Sequence, residues 1–422
     1  MEPGAPGQTA GPPPCPQPDI THRTHHEDQH RLTPAHRTAL SPWHCTADAD
    51  AETGGITFIP SGPRSDVARG LLQLVRHPGT YQPQILAAIQ ALAEDPVMWV
   101  RYSIARGLPL LRQADPDSMW TLLRRIADHD TSDHVLYGAV RSAWALRDDL
   151  GQAVDVISDV AARMTPTEQR GSAFEACTEA AGLLWVLNGH PAAHALLERL
   201  TDLQYGADAL AALLHEIRSA GTLTTDDDAI RGRAVDLCQL LTNVGAAAVG
   251  DLNAIGPHLT EEEKNRISTG IKLLDAVAAQ LYYASGAFDA SQGPDGTAPT
   301  PAQVRLFDET SQMVVQLGSA PVAQITHHLI EMLGHTLDER PKATLLTVRD
   351  IILTGGQAGG YQEDKLALDT TASLVRRILA DHRGILQAPE CLTALREILD
   401  IFVDAGWPDA HRLAFGLEHI FR

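Results

Sequence analysis

The sequence predicts an all-α protein, an α-solenoid or irregular stacked helical array behind a disordered N-terminal tail, on three observations. From Ser65 onward apolar residues recur at steps of three and four, the period of a helix with one buried face. Helix starts are marked repeatedly by a capping residue followed by proline, as at Asp95-Pro96, Asp115-Pro116 and Thr165-Pro166. No pair of alternating segments joined by a hairpin turn follows residue 65.

Residues 1–62 are expected to form a disordered Pro/His-rich tail. Seven prolines fall within the first eighteen residues and apolar periodicity is absent, so too little surface can be buried to offset the entropy of ordering. One short apolar run, Ile56 to Ile59, interrupts it before Pro60, Gly62 and Pro63, and Ser65 is the expected N-cap of the first helix. Residues 63–285 are expected to form a first helical region. Within it Val97, Val100, Ile104, Leu108 and Leu111 compose a single buried stripe, and Thr260 with Glu263 has capping-box spacing. Weaker starts lie at Pro191, Pro321, Pro341, Pro389 and Pro408. Residues 286–301, rich in Gly, Pro, Asp, Ser and Thr, are expected to be a flexible linker. A C-terminal helical region, 302–422, completes about fourteen helices of about 12–20 residues, the ordinary length.

Charge narrows the function. Lys and Arg number 33 against 53 Asp and Glu, a formal net charge of −20. The imbalance is local: residues 63–149 carry ten Arg and ten acidic residues, whereas 150–422 carry −16. So acidic a chain is a poor general binder of nucleic acid or anionic membrane, because such binding neutralises phosphates with basic side chains. Only four lysines occur among the basic residues, the usage expected of a GC-rich bacterial genome. The five cysteines, Cys15, Cys45, Cys177, Cys238 and Cys391, are scattered without a C-x-x-C pair, which fits a reducing compartment. With neither a signal-peptide pattern nor an apolar run of membrane-spanning length, a cytoplasmic protein is expected.

Prolines at 96 and 116, and again at 321 and 341, stand twenty residues apart, so a pair of helices spans about forty residues, the period of helical solenoids. A sharper repeat lies at 95–149. Asp95 is followed by Val100, Arg101, Ile104 and Leu108; thirty-five residues later, Asp130 is followed by Val135, Leu136, Ala139 and Ala143. In these residues the chain resembles the HEAT-repeat (armadillo-type) family, most clearly over 82–149. The resemblance implies a HEAT-like solenoid that binds protein, in which Arg101 and the Asp95-type residues form a ladder between neighbouring repeats. Leu136 stands where the second arginine belongs, so the ladder is expected to break after one rung.

Four residues are the candidate partner-binding site: Trp99, Arg101, Trp120 and Trp144, on successive helices with arginines around them. Aromatic and guanidinium groups dominate interface energetics. The competing reading is that tryptophans fill gaps between stacked helices while arginines cover their edges. Six histidines crowd into 22–44, but without a C-x-x-C or H-E-x-x-H frame a solvated tail is favoured over a zinc site. The Gly355–Gly360 cluster lacks a phosphate-loop Lys and reads as a helix-ending loop, and the Ser61–Ser65 segment as an N-cap rather than an anion site. Acidic triplets at 226–228 and 261–263 suit the positive ends of helix dipoles. His215-Glu216 and His327-His328 lie in helices without an identifiable third partner. No catalytic motif, cofactor or metal frame is present, and the expected function is a scaffold, or the regulatory or sensor part of a larger system, with another protein as partner. A glycosylase-like nucleic-acid enzyme on the same repeats is the alternative; it requires a positive groove.

Overall fold

A computed structural model describes residues 62–404 and Gly406, apart from breaks at 78, 80, 165–170, 202, 251–258, 293–297, 321 and 357–364. The Pro/His-rich segment 1–61, the Thr165-Pro166, Pro321 and Pro408 helix starts, and Gly359 and Gly360 lie outside the described residues. The described residues contain seventeen α-helices and no strand, more than the fourteen expected because several are short.

The helices are α1 (Pro63–Val75), α2 (Pro83–Leu92), α3 (Met98–Gly107), α4 (Pro116–His129), α5 (Asp133–Ala145) and α6 (Leu150–Arg163). Then come α7 (Ser172–Asn188), α8 (Pro191–Leu200), α9 (Leu203–Ser219), α10 (Asp228–Val249), α11 (Glu261–Ala284) and α12 (Ala287–Gln292). The remainder are α13 (Pro301–Gly318), α14 (Ala323–His335), α15 (Pro341–Gly356), α16 (Lys365–Asp381) and α17 (Pro389–Asp404).

They stack in two rows. In the first, α1, α3, α5, α7, α9, α11, α14 and α16 each pack on the next; in the second, α4 packs on α6 and α6 on α8, and α10, α13, α15 and α17 follow one another. Sequence-adjacent helices such as α4–α5, α6–α7 and α10–α11 pack across the rows, so the repeating unit is a helix pair. Such stacking buries an apolar face that no single pair could bury alone. At the centre, α7 is apolar nearly all round, and Phe174, Cys177, Leu183, Leu184 and Val186 are all buried beneath α5, α6, α8, α9 and α10.

Capping chemistry decides the boundaries. The Asp115 carboxylate accepts from Ser118 N–H at 3.0 Å with Pro116 opening α4. Thr260 and Glu263 form the expected capping box at the start of α11. Three expectations fail locally. Helix α3 begins at Met98, not Pro96, because the Asp95 side chain turns back onto Val97 N–H at 2.8 Å and holds 95–97 as a turn. The stripe 97–111 is also not one helix: it changes to a 3-10 turn at Leu108–Leu111, where Pro109 removes a donor, and Val97 is 42% exposed. Ser65 lies buried inside α1, whose N-cap is Gly62.

The segment 286–301 holds α12 rather than turn alone, because Ala287 is buried where α12 packs on α11 and α14. Helices on either side of it pack directly, α10 on α13 and α11 on α14. Arg231, 5% exposed, spans that seam by donating from Nε to both Glu309 oxygens at 3.1 Å, from Nη2 to Asp228 and from Nη1 to the Thr225 carbonyl. Helices α10 and α11 meet most closely at Gly245 and Gly270, where a Cβ on Gly270 would lie 2.8 Å from the Gly245 carbonyl oxygen. No helix among the described residues is long and apolar enough to cross a membrane.

Candidate functional site

The two copies of the repeat superpose in role. Val100 and Val135, Ile104 and Ala139, and Leu108 and Ala143 are all fully buried. Asp130 repeats the turn of Asp95, accepting from Ser132 N–H at 2.9 Å. Between them lies the ladder. Arg101 donates from Nε to Asp130 at 2.7 Å and from Nη1 to the Asp95 carbonyl at 2.8 Å, and Asp130 holds the Arg101 proton more tightly than usual. One rung earlier, Arg64 of α1 pairs with the Asp95 carboxylate. After Leu136 a carboxylate takes over: Asp133 of α5 accepts from Ser172 and Ala173 N–H at 3.0 and 3.1 Å, capping α7.

The four candidate residues therefore do not form one surface. Trp120 (6% exposed) and Trp144 (2%) are core residues, filling gaps in the second and first rows, and Arg147 lies over the Trp144 ring at 5.0 Å. Arg101 is committed to the ladder. Trp99, half-buried, stacks on His134 of α5 at 5.3 Å and meets Tyr102 edge-on at 5.9 Å.

A different constellation surrounds Trp99. Trp99, Tyr102 and Arg106 sit at i, i+3 and i+7 on α3, and His134, Tyr137 and Arg141 repeat that spacing on α5, each thirty-five residues later. The same offset as the Asp repeat places both triplets on the same face. In the sequence the signal is the thirty-five-residue offset of all three positions, which the Trp and Arg positions alone do not display because His134 replaces Trp99 in the second copy.

Arg141 lies over the Tyr137 ring at 5.2 Å and reaches Glu179 of α7 at 3.5 Å. Burial lifts the Tyr137 hydroxyl above its ordinary pKa, against the pull of Arg141 and Arg106. Burial likewise pushes Glu179 up to about 7; Arg141 opposes the shift and Glu216 and Glu175 add to it. Glu175 is raised by burial and by Asp133 and Asp208. Farther along the row Arg218 of α9 donates to Gln280 Oε1 of α11 at 2.6 Å and covers Tyr283 at 5.3 Å. Tyr283 meets Phe288 of α12 at 5.2 Å, and both rings are about 40% exposed, Tyr283 at 40% and Phe288 at 39%. The result is a lane of aromatic, guanidinium and carboxylate groups running from α3 to α12 across the first row. Such groups bind through ring faces, cation–π contacts and charge-assisted hydrogen bonds.

Other sequence candidates within the described residues have partners of their own. Asp227 caps α10 through Ala229 and Ile230 N–H, both at 3.1 Å. Cys177, Cys238 and Cys391 are buried, and burial raises all three thiols. His327 does have partners, Glu331 at 3.5 Å and Thr370 of α16 at 3.2 Å, the latter supplied from 43 residues away. Among the described residues no group of three or more His, Cys, Asp and Glu is placed to hold a metal ion.

No family model matches the chain, and no curated protein matches it. Among solved structures it is similar to the karyopherin Kap121p bound to Pho4p, at 13% identity and a TM-score of 0.36, over 82% of this chain and 41% of that one. A second Kap121p structure, bound to the extreme C-terminus of the protein phosphatase Cdc14p, matches at 13% identity and a TM-score of 0.24, over 85% and 43%. Kap121p alone matches at 13% and 0.21, over 83% and 43%. The chain thus spans less than half the length of these structures.

Proposed function

We propose that this chain is a non-catalytic protein-binding scaffold, or the binding component of a larger bacterial cytoplasmic system, and that its partner lies along the lane on the first row. The observation that carries this reading is the recurrence of half-buried Trp99 and exposed Arg106 on α3 as half-buried His134, Tyr137 and Arg141 on adjacent α5, with Tyr102, 4% exposed, packed edge-on behind Trp99. Packed helices lie about 8–10 Å apart, so a repeated set of contacts matches about every third residue of an extended chain at roughly 3.3 Å per residue. Trp99 stays within the proposed contact, whereas the burial of Trp120 and Trp144 favours packing roles for them. The region 63–285 supplies most of the lane, and α12 carries its last aromatic residue, Phe288.

Charge supports a protein partner over a phosphate backbone. Arg106, Arg141 and Arg218 in the lane stand beside Glu175, Glu179, Asp208 and Glu216, so the face lacks the positive surplus a glycosylase-like groove needs. The test is photo-crosslinking in the native host from a benzoyl-phenylalanine placed at Tyr137 or at Tyr283. Both positions are expected to capture the same protein, and Asp117, exposed on α4 of the opposite row, none. Capture from Asp117 alone, or of unrelated proteins from the two lane positions, contradicts the reading.

A further inference from the structure

Away from that lane's centre, a cleft of about 460 Å³ opens on the first row between α12, α14 and α16. This is the size range of small-ligand sites. Its walls include Ala287, Ala290 and Pro299 on one side and Ile330 and Leu374 on the other. Glu331, Gly334, His335 and Asp338 of α14 and the turn after it line it at helical spacing. Arg377 reaches in from α16, but its charge is committed: it donates to the Gly334 carbonyl at 2.8 Å and to Asp338 at 3.2 Å, and His382 also engages Asp338 at 2.9 Å.

Besides the hydroxyls of Ser291, Thr370 and Ser373, the lining offers a carboxylate and an imidazole one helical turn apart. Glu331 takes the Tyr282 hydroxyl and lies 3.5 Å from His327 Nε2. A carboxylate has about four lone-pair sites, so two contacts leave acceptor capacity toward the cleft. Burial, aided by Arg377, holds His335 below the ordinary imidazole range, which leaves it uncharged at neutral pH with one ring nitrogen as acceptor.

The cleft floor is a glycine that the backbone does not require. Gly334 lies inside α14, where glycine is disfavoured relative to alanine. A Cβ there would meet only Leu374 Cδ1, at 3.8 Å, an ordinary contact. Its absence of side chain keeps the floor open between Glu331 and Asp338.

We propose that this cleft binds an alkylammonium group on an apolar stem, with Glu331 as counter-ion, His335 as second acceptor and the alanine, proline and leucine walls around the stem. An ammonium offers three donors and no acceptor, which suits a site presenting two acceptors and a neutralised guanidinium. A free amine and a lysine side chain share this chemistry. The site is independent of the partner lane, and its failure leaves that reading intact.

Titration calorimetry of the full chain with n-butylamine tests it, against n-butanol and butyrate as uncharged and anionic isosteres. Two capped tripeptides, one with central lysine and one with norleucine, separate a free amine from a peptide. Saturable butylamine or lysine-peptide binding is expected, with Kd near 1 mM for so small a probe. The isosteres are expected to bind at least about tenfold more weakly, the scale of one charge-assisted hydrogen bond. Glu331→Gln should weaken binding by a similar factor. Gly334→Leu, favoured in a helix and so expected to fold, should abolish it by filling the cleft. Absence of binding by both cationic probes, equal binding of butyrate, or binding unchanged in both variants overturns the proposal.

Discussion

Replacing Arg101 with alanine removes the rung that ties the two clearest repeats together, and its size can be set beside that of its neighbour. The Arg101 side chain is 20% exposed and Asp130 6%, and the guanidinium also satisfies the Asp95 carbonyl. Removing one member of a fully buried pair costs about 3–5 kcal/mol because the other charge is left unpaired; with one partner a fifth exposed, about 2–3 kcal/mol is expected. Arg64, which pairs with Asp95 one rung earlier, is 58% exposed although Asp95 is only 2% exposed; with Val97 N–H still on that carboxylate and no backbone carbonyl left unmet, Arg64→Ala should cost about 1 kcal/mol, less than Arg101→Ala. The assay is urea denaturation followed by tryptophan fluorescence, with hydrogen exchange of α3 and α5 to localise the loss, since stacked repeats need not unfold as one unit. Equal costs for the two variants, or an Arg101→Ala cost below about 0.5 kcal/mol, would refute the assignment of Arg101 to the ladder.

Further outcomes follow from the same contacts. Because burial raises Glu179 to about 7, the folded state binds its proton more tightly than the unfolded chain. Its contribution to stability is therefore present below the unfolded carboxylate value and lost as pH rises toward about 7; carbon-13 NMR should show that midpoint, and Glu179→Gln should flatten the stability profile across this window. Gly189 ends α7 at φ 67°, so Gly189→Ala should destabilise by about 1–2 kcal/mol, whereas Gly70→Ala on open helix surface should stabilise by up to about 1 kcal/mol in the same melts. Cys177, Cys238 and Cys391 should resist iodoacetamide at pH 8 in the native protein and react after denaturation, as read by peptide mass mapping.

Local chemistry was legible in the sequence wherever the partner lay within one turn. The Thr260–Glu263 box and the Asp115-Pro116 start are decided by residues three apart, and both form. Asp95-Pro96 has the same letters as Asp115-Pro116, yet its carboxylate turns onto Val97 N–H, with Arg64 of the preceding helix on the carboxylate and Arg101 on the carbonyl. The ladder was legible only as what the family resemblance implies, a resemblance carried by the recurrence of Asp95 at Asp130; the Asp133 cap of α7 was not legible, since it lies 39 residues from Ser172 with no motif to mark it. The fate of the tryptophans depended on depth in the stack. Trp99 and Trp144 share Arg-rich surroundings, but one sits half-buried beside His134 and the other closes a core layer. The cleft at Glu331 and His335 reads in sequence as an ordinary solvated helix face, because α12 and α16, which make it a cleft, arrive from 40 residues on either side.

We propose that a protein partner binds along the first-row lane. It is tested most directly by quantitative affinity capture from the native host with the full chain, comparing wild type, Arg106→Glu/Arg141→Glu, and a Lys264→Glu/Lys342→Glu control whose side chains are exposed at 54% each. A partner is expected whose recovery falls at least about tenfold with the lane variant, as truncation of interface hot spots does, and is unchanged with the control. Equal recovery from all three, with the lane variant still folded, contradicts it.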